Sequence, residues 1–223
     1  MNSVINQKYE NMEYIVLDGG STDGTIELVK SYQDKIDLFK SQKDKNLYDA
    51  LNKALELSTG DIIGFMHSDD YYSDENVLTE ISEAFLNNDA DLVCGGIKYF
   101  RDEKLSRQIP SIEINMKNIL LGKLPPHPAI FFKKDVIKDI GNFDDNLTII
   151  ADLDWCIRVA KKGFKTYKLK KYIYLMSIGG ESTLTLKNSV KRAKEYINVA
   201  LRYNILFLFS FLIKGMRKFL KIS

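Results

Sequence analysis

Cysteine is scarce in this 223-residue chain, and its two copies, Cys94 and Cys156, stand far apart in apolar settings. That spacing excludes a disulfide-stapled scaffold, and both read as reduced core residues of a cytoplasmic protein, without a catalytic signal. Long hydrophobic runs are missing too. The longest strongly apolar stretch, 205–213, is broken only by Ser210. It falls well short of the roughly 20 residues that a bilayer-spanning helix needs. Neither G-x-x-x-x-G-K-[ST] nor G-x-G-x-x-G occurs, so the two common glycine-rich phosphate cradles are excluded. No internal repeat and no low-complexity linker divides the chain, and its length suits one sizeable α/β domain burying about 70% of its unfolded surface.

What is present is charge, unevenly placed. Residues 1–160 carry 28 Asp/Glu against 17 Lys/Arg, whereas residues 161–223 carry 2 against 15. The amino-terminal part therefore reads as the seat of acidic chemistry. The carboxyl-terminal part reads as a surface for an anionic partner, membrane or nucleic acid, or as a plain solvated lysine face.

Hydrophobic periodicity gives strands and helices in alternation. A short helical segment precedes a strand over 13–17, a glycine turn, and a helix from about Thr25 for which Ser21, Thr22 and Asp23 are candidate caps. Ala50, Leu51, Ala54, Leu55 and Leu57 lie at helical spacing before the Thr59-Gly60 stop, and a strand over 61–65 leads into "MHSDDYY". Residues 76–87 read as a helix and "DLVCGGIKYF" as a strand. After residue 100 a polar connection follows, then "AIFF" as a strand, a helix from Asp152 to Gly163, the strand pair "KTYKL" and "YIYLMSI", and a basic helix from Leu186. Such alternation predicts a mostly parallel sheet flanked by helices, with ligands at strand carboxyl ends.

Two of those ends carry acids, Asp18-Gly19-Gly20 and Ser68-Asp69-Asp70. Neighbouring carboxylates beside low-dielectric protein repel unless a cation or proton intervenes. Mg²⁺ or Mn²⁺, held by one or two carboxylates and completed by water and diphosphate oxygens, fits Asp69 and Asp70; the competing reading is a capped turn before Tyr71. Asp152, at a helix start, reads by position as a cap.

Taken in order, "EYIVLDGGSTDGT", "KDKNLYDALNKALELSTGDIIGFMHSDD", "HPAIFFKKDVI" with "GNFDD", and "ADLDWCIRVAKKG" resemble the family 2 glycosyltransferases of GT-A fold, of the bacterial surface-polysaccharide type. The likeness spans residues 3 to about 182. It implies an inverting transfer of a sugar from a nucleoside-diphosphate sugar, with UDP as the carrier, to a glycan or polyprenyl-linked acceptor. It further implies Mg²⁺ or Mn²⁺ as cofactor and Asp70 as the direct ligand beside Asp69. Asp152 matches the general base and Asp154 a supporting acid. Asp18 matches the contact to the base or ribose and Gly20 the same donor site, His127 lies near the donor diphosphate or the acceptor, and Asp49 either lines the nucleotide pocket or simply starts a helix. Gly179-Gly180-Glu181-Ser182 matches a loop that closes over the donor, while His67 reads as a buried neighbour. Nucleic acid is not an expected partner.

The glycosyltransferase domain is expected over 1–185. The basic and aromatic segment 186–223 is either an interfacial helix, placing the enzyme peripherally on the inner face of the cell membrane, or a helix packed on the domain. One departure from the family pattern stands out. The family's first strand and most of its first helix, about 20 residues by ordinary element lengths, have no counterpart. The strand ending at Asp18 should then show an open edge, and the reading leaves room for an incomplete, inactive relic. A metal-dependent nucleotidyltransferase is the other alternative, though it would ordinarily show a basic glycine-rich loop.

Overall fold

The computed structural model describes residues 1–177 and 186–203, with side chains from 190 in the last segment. In chain order the elements are α1 (Asn2–Ile5), β1 (Ile15–Asp18), α2 (Thr25–Lys30), β2 (Leu38–Ser41), α3 (Leu47–Leu57), β3 (Ile62–Ile63), β4 (Asp70–Tyr72) and α4 (Val77–Asn88). Then follow β5 (Leu92–Arg101), β6 (Lys104–Ile109), α5 (Met116–Leu120), β7 (Ile130–Lys133), α6 (Asp135–Ile140), α7 (Ala151–Lys162), β8 (Thr166–Ser177) and α8 (Leu186–Tyr203).

Strand alternation builds two hydrophobic layers. Leu92 and Cys94 of β5 and Ile130 and Phe132 of β7 face one layer, with α3, α5, α6, α7 and part of α8. Val93 and Ile97 of β5 and Phe131 of β7 face the other, with Val4 of α1 and Val77, Ile81, Ala84 and Phe85 of α4. Period two in the strands and period 3.6 in the helices place those residues without further instruction. Trp155 and Phe132 pack at 5.1 Å between ring centroids, which seats α7 against β7. Both cysteines are buried in the first layer and no disulfide joins them.

The architecture is α/β with helices flanking the sheet, but pairing is mixed rather than mostly parallel. The main sheet runs β3-β7-β5-β8-β4 with β6 beside β5. Only β5–β8 is parallel in it, while β3–β7, β4–β8, β5–β6 and β5–β7 are antiparallel. Periodicity reports which face a strand buries and carries no information on its direction. Three details also differ from expectation. The polar connection after residue 100 is strand β6, the two strands expected near the end are one continuous β8, and Asp70 opens a short strand of its own.

β1 and β2 form a separate two-stranded parallel sheet. Among the described residues, β1 pairs only with β2 and β3 only with β7, so each has one open edge. Ile15, Val16 and Leu17 are consequently only half-buried. Glu13 ties the two sheets near their starts, its carboxylate accepting from Thr59 N and Oγ1 and from Gly60 N at 2.7–3.3 Å.

Gly64, just after β3, makes a testable demand. A Cβ there would fall on the ring of buried Phe131. Gly64→Ala should lower stability by about 1–3 kcal/mol through overpacking, read as a fall in the urea midpoint at unchanged slope.

Candidate functional site

Asp70 sits where the turn after β3 enters β4, its N–H donating to the His67 carbonyl at 3.3 Å. The residue is 6% exposed. Its Oδ2 is buried with no hydrogen-bond partner, the only carboxylate oxygen both buried and without one among the described residues. Burial, and next the charge of Asp69, push the carboxyl up to about 7, while the backbone of Ser177 acts the other way. A buried carboxylate without a compensating charge is costly, so this position suits an added cation. Asp69 is exposed beside it. Among the described residues no cluster of three or more His, Cys, Asp or Glu could hold a metal. Asp70, with Asp69 beside it, could hold at most a one- or two-carboxylate ion such as Mg²⁺ or Mn²⁺, completed by substrate oxygens and water.

His67 and His127 join this turn to the opposite wall. Their Nε2 atoms are 2.8 Å apart with the rings at 70°. Burial pulls both imidazoles down to about 4, and His127 adds to the effect on His67. Both are therefore neutral near pH 7, one donating and one accepting, as such a pair requires. Sequence reasoning gave His67 only the role of a buried neighbour and did not foresee this bond; two isolated histidines 60 positions apart carry no signal of it. Tyr174 Oη accepts from His67 N at 2.9 Å and donates to the Phe65 carbonyl at 3.3 Å.

His127, Asp152, Phe65, Phe132, Phe143, Trp155 and Cys156 are among the residues lining a cavity of about 10 Å³. That is room for one water at most, so a nucleotide sugar would lie outside it. Asp152 is the second residue of α7, and its Oδ1 accepts from Leu153 N at 2.8 Å. Buried Tyr48 lies beside it. The phenol is pushed up by burial and then by the charge of Asp152, while its Oη reaches the Ile149 carbonyl at 3.4 Å. Asp152, His127, His67 and Asp70 thus follow one another across a single region.

Asp18 occupies the other sheet. Its Oδ2 accepts from Gly20 N and Ser21 N at 3.0 Å and from Ser41 Oγ at 2.6 Å. Gly20 adopts a left-handed φ of 88° to complete that loop. Asp49 accepts from Lys45 N at 2.9 Å and pairs with Lys53, which also holds Asp44. Asn46, rather than an acid, caps α3, taking the N–H groups of Tyr48 and Asp49. Gly24 occupies the cap position of α2 without a side-chain bond, while Asp23 accepts from Thr25 N and Oγ1. No hydrogen bond or ion pair among the described residues joins the Asp18 loop to Asp70.

Asp154 points into a different network. It is 1% exposed and accepts from Arg158 Nε at 3.0 Å, Arg202 Nη1 at 2.8 Å and Tyr203 Oη at 3.0 Å. Glu195 of α8, which the sequence did not single out, accepts from Thr148 N and Oγ1, Ile149 N and Ile150 N at 2.9–3.2 Å. One signal was available: Glu195 is one of two acids after residue 160. The donor-closing loop expected at 179–182 and the aromatic and basic residues beyond 203 lie outside the described residues. Within those described, no helix is long and apolar enough to cross a membrane.

The hydrogen bonds to Asp18 fix a pH dependence. Side-chain bonds from Ser21 and Ser41 hold its carboxyl down at about 2, below an ordinary 3.8. Its contribution is complete above pH 4 and is lost as pH falls toward 2. Asp18→Asn should therefore melt below the wild type at pH 7, with the gap closing between pH 4 and pH 2 in thermal denaturation.

Residues 1–141 match the family described as glycosyl transferase family 2. An uncharacterized glycosyltransferase of Mycobacterium tuberculosis H37Rv is 31% identical over 160 residues, 71% of this chain and 61% of the relative. A PGL/p-HBAD biosynthesis glycosyltransferase of Mycobacterium bovis BCG is 25% identical over 163 residues, 71% of this chain and 62% of the relative. The chain thus spans about three fifths of the length of these curated relatives. Among solved structures, S. aureus TarS 1–349 in complex with UDP-GlcNAc superposes with a TM-score of 0.66 at 22% identity, covering 82% of this chain and 56% of that one. The mannosyltransferase PcManGT of Pyrobaculum calidifontis, in complex with GDP-Man and Mn²⁺, gives 0.61 at 16% identity, covering 91% and 58%. These likenesses identify the fold as GT-A. With the ordered motifs and the matched span, the chain belongs to glycosyl transferase family 2.

Proposed function

We propose that this chain is the catalytic part of an inverting glycosyltransferase that moves a sugar from a UDP-sugar to a glycan or lipid-linked acceptor in surface-polysaccharide synthesis. The observation that carries the proposal is the buried, partnerless Oδ2 of Asp70, beside Asp69, in a member of this family. That oxygen fits Mg²⁺ or Mn²⁺, and a bound ion supplies Lewis-acid stabilisation of charge gathering on a departing diphosphate. Asp152 is the residue assigned to take the proton from the acceptor hydroxyl, a role typically worth about 10² to 10⁴ in rate. Support for UDP comes from TarS, solved with UDP and with UDP-GlcNAc; support for a metal comes from PcManGT, solved with Mn²⁺. The polysaccharide or glycolipid setting draws on the biosynthetic name of the mycobacterial relative. In this reading Asp18, Gly20 and Asp49 belong to the nucleotide end of the donor site, and His127 stands between donor and acceptor. Asp154 holds α7 in place. Peripheral attachment to the inner membrane face rests on the basic composition after residue 160.

A second reading has its own observation. The open edges of β1 and β3 leave the Asp18 loop on a sheet apart from Asp70, which favours a chain that binds metal and nucleotide weakly and turns over little by itself.

Thermal-shift measurements with UDP-, GDP- and dTDP-sugars, with and without Mn²⁺, test both. One nucleotide family should stabilise the protein only with the metal, and Asp70→Ala should abolish the shift. An equal shift in Asp70→Ala removes the metal assignment. Asp152→Asn should keep the shift and lose about 10²-fold or more in nucleotide release or sugar transfer; a wild type that shows the shift but no turnover selects the second reading.

A further inference from the structure

The loop and first turn that carry Asp152 are short of partners from their own helix. The cap position of α7, Ile150, supplies no side-chain bond, and helix starts leave several N–H groups unsatisfied. The N–H groups of the segment leading into that start, those of Thr148, Ile149 and the cap residue Ile150, are instead met by a side chain of α8, at least 45 residues away. The Glu195 carboxylate is 6% exposed and takes four hydrogen bonds from the three residues 148–150, with Oε1 serving Thr148 and Oε2 serving Ile149 and Ile150. All four donors point at one anion, so a neutral amide cannot replace it: its NH₂ would face N–H groups.

From this we propose that Glu195 is a positioning residue, fixing the backbone that aims Asp152. The inference rests on the reading of Asp152 as the general base. α8 is anchored on its other side, where Arg202 reaches Asp154 and Asp144 and Tyr203 Oη reaches Asp154. Val199 and Ala200 pack into the same core as Trp155. The helix therefore grips α7 at Ile150 through Glu195 and at Asp154 through Arg202, on either side of the residue that meets the acceptor. A carboxylate displaced by about 1 Å costs on the order of 10²-fold in rate while leaving donor contacts alone.

The test is steady-state release of nucleotide, in the whole chain, from the sugar nucleotide that stabilises it most. Glu195→Gln should lower kcat by about 10- to 100-fold with the donor KM within about twofold of wild type, and Glu195→Asp should recover part of the loss. In an Asp152→Asn background Glu195→Gln should change the residual rate no further, because residues acting through one another are not additive. An inactive Asp152→Asn beside a Glu195→Gln of wild-type rate overturns the inference alone. A Glu195→Gln that raises KM as much as it lowers kcat, or whose effect multiplies with that of Asp152→Asn, overturns it too by showing a general scaffold role. Full activity of Asp152→Asn removes the base assignment and the inference with it. If Glu195→Gln does not fold, Thr148→Val, which deletes only the hydroxyl bond, carries the test: a kcat loss of about twofold or more at unchanged KM supports the inference, and an unchanged kcat overturns it.

Discussion

A carboxylate taken out of water needs a positive partner or a proton. Most of the acids around this site have what they need inside the chain: Asp18 has backbone N–H groups and a serine, Asp49 has Lys53, Asp154 has two arginines and a tyrosine, and Glu195 has three amides and a hydroxyl. Asp70 is the exception. Its Oδ2 is buried with no partner among the described residues, next to a second aspartate, at the head of a strand that fixes where it points. The fold leaves one negative position uncompensated, and the chemistry assigned to the protein follows from what would compensate it.

The walls around that position are tied together by other groups. The turn carrying Asp70 is linked through His67 to His127, and His127 shares its cavity with Asp152. Asp152 rides on a helix packed through Trp155 and Phe132 and gripped from outside by α8. Neutral histidines in the middle suit this layout, because a charged pair of rings 4.9 Å apart would repel. The acids of the region stand at its two ends, Asp70 and Asp152.

Much of this was legible in the sequence, and the reasons for what was not are physical. Elements that bury one face, such as α3, α4, β5 and α7, declare themselves through apolar spacing. β6, "KLSRQI", is exposed along nearly its whole length and so carries no alternation to read. β8 was split in two because Lys168, Lys170 and Lys171 interrupt it. Strand direction is absent from periodicity, which is why a mostly parallel sheet was expected where four antiparallel pairings are found. At the candidate site, ordered motifs singled out Asp18, Asp70, His127 and Asp152 as expectations, but the partners these side chains have were out of reach. That Arg202 joins Arg158 on buried Asp154, and that Glu195 closes on residues 148–150, depend on contacts across more than 40 positions.

The central claim is that a divalent ion completes the site at Asp70, and anomalous diffraction from crystals grown with Mn²⁺ and UDP reads it directly. The account predicts a manganese peak at about 2–2.5 Å from a carboxylate oxygen of Asp70 and in contact with the diphosphate. UDP bound with no manganese at Asp70, or manganese held elsewhere while the carboxylate stays buried and bare, would contradict it.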